Sequence, residues 1–221
     1  MRRFDRRGLV LAFALSMLVA GGAARAAQAP APQGTNPANV EVTGFRSAKF
    51  GMNEQDVRAA IAKDFKVAPA DIHETENPVE HTKVLVVGLP VLQPLDGKAE
   101  VAYVFGYKSH RLIQVGATWR IAADPKITPD ILVNNANTLQ NLFLSQGYKA
   151  GTITTNGTLS TGGLLVFRGE DEKKHSTILI LEGKTAAGQN GGQTLTPETL
   201  ILLYVESTDA PDALKIAPGQ F

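Results

Sequence analysis

Arg111-Leu-Ile-Gln-Val-Gly-Ala-Thr-Trp-Arg-Ile121 alternates with a period of two. Ile113, Val115, Ala117, Trp119 and Ile121 fall on one face of an extended chain. Leu112, Gln114, Thr118 and Arg120 fall on the other. That beat predicts a strand with one buried and one solvated face. The tight turn Lys108-Ser109-His110 precedes it, and residues 99–107 carry another apolar strand signal before the turn. Residues 82–88, β-branched and apolar, make a third. Downstream the period becomes helical. Thr128 is a capping residue, and Pro129 stands at the first helical position, where its missing N–H costs little. Leu132, Ala136, Leu139 and Phe143 recur at i, i+4, i+7 and i+11. Gly147 marks a left-handed stop, and Tyr148 is placed to pack back on Phe143.

Further out, Asn53 predicts a cap for a helix over residues 54–64, with Asp56 at its third position. Its apolar face is Val57, Ala60, Ile61 and Phe65, and Phe50 can staple against Val57. Residues 66–82 are rich in proline and acid and read as loop, with at most a turn of helix at 69–73. Strands are expected again near 151–155 and at 163–168, 177–182 and 199–206. A mixed-charge turn, 169–175, joins the middle pair, and a Gly-rich insert, 183–194, joins the last pair. Thr196-Pro197-Glu198 could open a helix instead. The unbroken apolar run 200–205 lacks helical polar spacing and reads as strand. The order helix, three strands, helix, three or four strands describes a helix-plus-three-strand unit used in tandem. Val104-Phe105-Gly106-Tyr107 echoes Val166-Phe167-Arg168-Gly169. The expectation is an α+β fold, an antiparallel sheet with helices on one face. Its first repeat covers residues 45–122. The second covers 123–221, with a C-terminal tail.

The amino-terminal segment speaks to location. Arg2, Arg3, Arg6 and Arg7 precede an apolar run over residues 9–20, and small residues follow. This is the order of a secretory signal peptide, with A-x-A sites that place cleavage near Ala26 or Ala29. The run is too short for the ~20 residues of a spanning helix, so no membrane anchor is expected after cleavage. Asp5-Arg-Arg-Gly-Leu-Val10 also has the look of a twin-arginine signal, which leaves the export route open. Residues 30–44 read as a flexible leader. Loss of residues 1–29 removes five arginines and one aspartate, leaving 17 basic and 20 acidic residues, a net charge of −3. A mildly acidic surface without a basic block gives no footprint for nucleic acid. The chain has no cysteine, which excludes disulfides, thiolate metal sites and cysteine nucleophiles. The location implied is the periplasm.

Phe50-Gly-Met-Asn-Glu-Gln-Asp-Val57 resembles a motif of the BamE-like (SmpA/OmlA) group of exported α+β modules. There a Gly-Met pair leads into a capped helix that packs on a three-stranded antiparallel sheet. The tandem element order is similar to that of the β-lactamase-inhibitor-protein architecture. This chain departs from the lipoprotein group in having no lipid-bearing cysteine and no clear second helix in its first repeat. The resemblance implies a protein-binding scaffold.

No motif points to catalysis, a cofactor or a metal. His73, Glu74, Glu76, Glu80 and His81 crowd one stretch, but the spacing is not H-E-x-x-H, and Pro78 interrupts any helix that would align them. They read as a solvated acidic loop, and residues 170–175 read as a solvated turn. Ser47, Ser109, Ser160 and Ser176 lack a G-x-S-x-G setting. Tyr103, Phe105 and Tyr107 line one face of a strand, and Leu200, Leu202 and Tyr204 line another. Core packing is the default for both rows. The alternative is an aromatic face that grips a partner through Tyr103, Phe105, Tyr107 and Tyr204. The strands near 177–182 and 199–206 are apolar on both faces, so their second face needs a cover. The leading expectation is a soluble periplasmic protein-binding or adaptor module acting through a sheet face or edge on a protein of the cell envelope. A hydrolase with dispersed carboxylates or histidines, and a small-molecule or lipid carrier, are the alternatives.

Overall fold

The computed structural model describes residues 39–187 and 193–214. The signal sequence, most of the leader and the end of the C-terminal tail lie outside the described residues. In chain order the elements are β1 (Gly44–Phe45), β2 (Ala48–Lys49), α1 (Glu54–Phe65), β3 (Ile72–Asn77), β4 (Thr82–Leu89), β5 (Ala99–Phe105), β6 (Leu112–Arg120), α2 (Pro129–Leu144), β7 (Thr154–Thr158), β8 (Leu164–Glu170), β9 (Ser176–Ala187) and β10 (Gln193–Val205). β1 and β2 form a small hairpin, and the rest build one eight-stranded antiparallel sheet in the order β3-β4-β5-β6-β10-β9-β8-β7. Each helix is followed by a four-stranded meander. The last strands of the two meanders, β6 and β10, lie side by side at the centre. The fold is therefore α+β, as the patterning predicts.

Local chemistry sets both helices. Asn53 Oδ1 accepts from the Asp56 N–H at 2.9 Å, and Val57, Ala60 and Ile61 are buried. Thr128 Oγ1 accepts from the Ile131 N–H, and Leu132, Ala136, Leu139 and Phe143 point inward. Satisfying those otherwise orphaned N–H groups is what a cap contributes. After α2, Gly147 takes a left-handed φ of 42°, and the Tyr148 ring meets Phe143 edge-on. The two helices share one core with the inward face of the sheet. Leu85, Val101, Tyr103, Val115, Trp119, Phe167, Leu179 and Leu200 belong to it.

Four local expectations are corrected. Residues 72–77 are a strand, not a loop: β3 pairs with β4 from Ile72 to Asn77. It is an edge strand whose middle four residues face water, so it has no apolar beat. Leu112 does not share a face with Gln114. The register shifts between Val104 and Phe105, which seats Leu112 opposite Phe105 in the helix-side core. The segment over 183–194 is not simply an insert, because β9 runs to Ala187 and β10 starts at Gln193. Pro197 sits at a bulge opposite Gly183, where a ladder tolerates proline. The strand near 151–155 lies at 154–158, and β3 gives the first meander four strands where three were expected.

Candidate interaction surface

The four aromatic residues do not form one surface. Tyr103 and Phe105 are buried beneath the helices, and Tyr103 has a hydroxyl without a hydrogen-bond partner. Burial pushes its ionisation well above the ordinary tyrosine range. Tyr204 is half-buried on the same side, stacked on Phe45 with ring centroids 5.7 Å apart. Tyr107 alone of the four is exposed, at 38%, in the β5–β6 turn beside His81. For Tyr103 and Phe105 the packing reading describes what the structure places there. The alternation of β5 could not tell a helix-covered face from an open one.

The opposite face of the sheet carries its own apolar cluster. Ile178 and Ile180 of β9 and Leu203 and Val205 of β10 are buried together. Leu159, Leu165 and Ile201 pack against them half-buried. Among the described residues this cluster contains no helix residue. Val84 and Val86 of β4 continue the face and are half-buried. Arg120, paired with Glu100 at 3.2 Å, and Arg168, paired with Glu170 at 2.9 Å, frame it with charge.

At one end of the sheet the chain closes on itself twice. Asp171, expected in a solvated turn, is buried. Its carboxylate accepts from the Val42, Lys173 and His175 N–H groups at 2.8–2.9 Å. His175 Nδ1 donates to the Val42 carbonyl at 2.7 Å and lies 3.4 Å from Asp171. One aspartate and one histidine thus hold both polar groups of the Val42 backbone. Residues 206–214 form a strap. Glu206 N–H extends the β6 ladder to Ile113, Arg168 reaches Thr208, and Leu214 N–H reaches the Glu80 carbonyl. Asp212 accepts from the Lys108 and Ser109 N–H groups in the β5–β6 turn. Burial raises the Asp212 carboxyl, and the bonds from Ser109 and Lys108 outweigh it and hold it below the usual range. Burial also raises Glu206.

The acidic stretch is surface structure. Glu74 pairs with Lys83 at 3.0 Å and Arg58 at 2.9 Å, and Glu76 with His81 at 3.2 Å. Hydrogen bonds from Arg58 and Lys83 lower Glu54 beside them. Among the described residues no three His, Asp or Glu converge on a possible metal position. His73, His81 and His110 are exposed, and His175 is bound to Val42. Ser47 donates to Asp64, while Ser176 is buried without a partner, and neither stands with a histidine as an activated nucleophile would. A depression of about 320 Å³ at the base of the β9–β10 ribbon is lined by Thr161, Gly163, Glu182, Gly183, Glu198 and Thr199. Lys184 is paired with Glu198 at its rim. No described helix is long and apolar enough to cross a membrane. No family model, curated protein or solved structure matches this chain.

Proposed function

We propose that the chain is an exported, periplasmic protein-binding or adaptor module whose working surface is the second face of its sheet. The observation that carries this reading is the second apolar cluster. Ile178, Ile180, Leu203 and Val205 are backed by half-buried Leu165 and Ile201 on the side away from the helix-side core. Those four are themselves buried, so the area a partner would reach is the half-buried Leu159, Leu165 and Ile201 around them, beside the paired charges of Arg120 and Arg168. The signal-like segment 1–29 supports export, and the likeness at residues 50–57 to BamE-like modules supports a scaffold role. The two helix-then-meander runs are read as a duplicated unit, which the central β6–β10 pairing and the matching element order favour. Two experiments test the reading. Mass measurement of the periplasmic form should give a chain starting after Ala26 or Ala29; an unprocessed cytoplasmic chain would sink the export half. Binding to an envelope protein should be lost on Ile201→Lys with the fold intact by circular dichroism; unchanged binding would sink the surface half.

A further inference from the structure

The second face of the sheet is not bare along its whole length. Cross-strand pairing sets Glu170, Ser176, Val205, Gln114, Val104 and Val84 in one row at the end of the sheet. Val205 belongs to the second apolar cluster, which fixes the face this row occupies. Ser176, Val205 and Val104 are buried there, although among the described residues that cluster contains no helix residue. The strap, residues 206–214, runs along this end on the same side. Thr208 accepts from Arg168 at 3.4 Å, and Arg168 stands opposite Ile178 of the cluster. The chain then passes to the β5–β6 turn. There the Tyr107 N–H donates to the Asp212 carbonyl at 2.8 Å, and the Lys108 and Ser109 N–H groups donate to its carboxylate. The Asp212 and Ser109 side chains fill the space that a Cβ on Gly106 would need. The Leu214 N–H finally reaches the Glu80 carbonyl beside β4.

What holds the strap is polar and local. None of residues 206–214 is buried, none belongs to either apolar cluster, and Asp209 and Ala210 are exposed. Glu206, bonded to Ile113, continues β10 and makes a hinge. Asp212 makes the clasp. At this end of the face Ser176 Oγ and Thr82 Oγ1 are buried without a hydrogen-bond partner. Thr82 stands two residues before Val84 on β4 and so shares its face. A buried hydroxyl without a partner raises the free energy of the state that buries it. Lifting the strap would give both hydroxyls polar company, with the loss of a few hydrogen bonds and no apolar core contact.

We infer that residues 206–214 are a displaceable cover over one end of the second face, closed in this structure, which a binding partner lifts to reach the row beneath. The inference rests on the reading of that face as the binding surface. The closed cover withholds the Val104 and Val205 end and leaves Leu159, Leu165 and Ile201 accessible. The stability of the closed strap therefore subtracts from the affinity of a partner that needs the whole face.

The chain has no cysteine, so a single introduced thiol reports on the cover. Ser176→Cys sets a thiol beneath the strap with little change in size. Thr177→Cys sets one on the other face, where Thr177 is buried and bonded to Tyr148. Iodoacetamide labelling of the processed chain reads opening at each position. Ser176→Cys should react at least about tenfold faster than Thr177→Cys, because the strap opens without the fold. Adding Asp212→Ala should quicken the first by about another tenfold and leave the second unchanged. Thr82→Cys should follow Ser176→Cys, and it takes its place if that variant does not fold. Equal rates for the two thiols in the parent chain, no gain from Asp212→Ala, or an equal gain at both positions would overturn the cover. These outcomes involve no partner, so they are separate from the Ile201→Lys test of the face itself.

Discussion

Three backbone N–H groups, those of Val42, Lys173 and His175, converge on the Asp171 carboxylate, which is 1% exposed. Buried donors stripped of their acceptor lose solvation as well as the bond. Asp171→Ala should therefore destabilise the chain by about 3 kcal/mol in urea unfolding. A loss below about 1 kcal/mol would show that water replaces the carboxylate. In the sequence, Asp171 stands in the charged run 170–175 and reads as solvated, because its partner Val42 is 129 residues away. Glu206 gives a pH test. Burial holds its carboxyl above the ordinary range, so the fold disfavours its ionised form. Stability from this group is lost as pH rises from the ordinary carboxyl value through the raised one. Glu206→Gln should raise Tm at about pH 7, and the advantage should vanish near about pH 4. An equal shift at both pH values would contradict that sign.

At the scale of elements, legibility followed local chemistry. α2 could be read nearly to its ends, since Thr128, Pro129 and the apolar stripe all lie within the helix they define. α1 follows the same logic through Asn53 and Asp56. β3 could not be read, because an edge strand with four exposed residues takes its order from β4. The far ends of β9 and β10 are similar: exposed residues 184–186 pair with 194–196, of which Leu195 alone is half-buried, and a bulge follows at Pro197. That bulge yields a prediction. A Cβ on Gly183 would lie 2.0 Å from the Thr196 carbonyl oxygen, a backbone atom that cannot swing aside. Gly183→Ala should loosen the ribbon beyond it while leaving α2 intact. Hydrogen exchange should quicken in residues 184–187 and 194–196 and hold steady in 132–143. Uniform exchange across the ribbon and α2 would contradict a local role for the bulge.

At the scale of the molecule, the α+β class follows from periodicity, but the sheet order does not. Nothing in the spacing of β6 and β10 announces that they pair at the centre, since the pairing joins residues 114–120 to 199–205. The aromatic rows of β5 and β10 were legible as strand faces, and only the packing of the helices decided which face they cover. The strap adds a whole-molecule prediction. Asp212 is held below the usual carboxyl range, so its contribution is present above the ordinary value and lost as pH falls through the depressed one. The Lys108 and Ser109 amides should exchange faster, relative to those of β6, once the pH drops below that range. Asp212→Ala should abolish this pH dependence; persistence in the variant would show that another group controls the turn. Recognition through the second sheet face is tested by affinity capture from periplasmic extract with the processed chain, its Ile201→Lys variant and its Leu142→Lys variant side by side. One stoichiometric envelope protein should be held by the wild type and by Leu142→Lys, which alters an exposed position of α2, and lost with Ile201→Lys. No stoichiometric partner, or one held equally by all three folded chains, would contradict it.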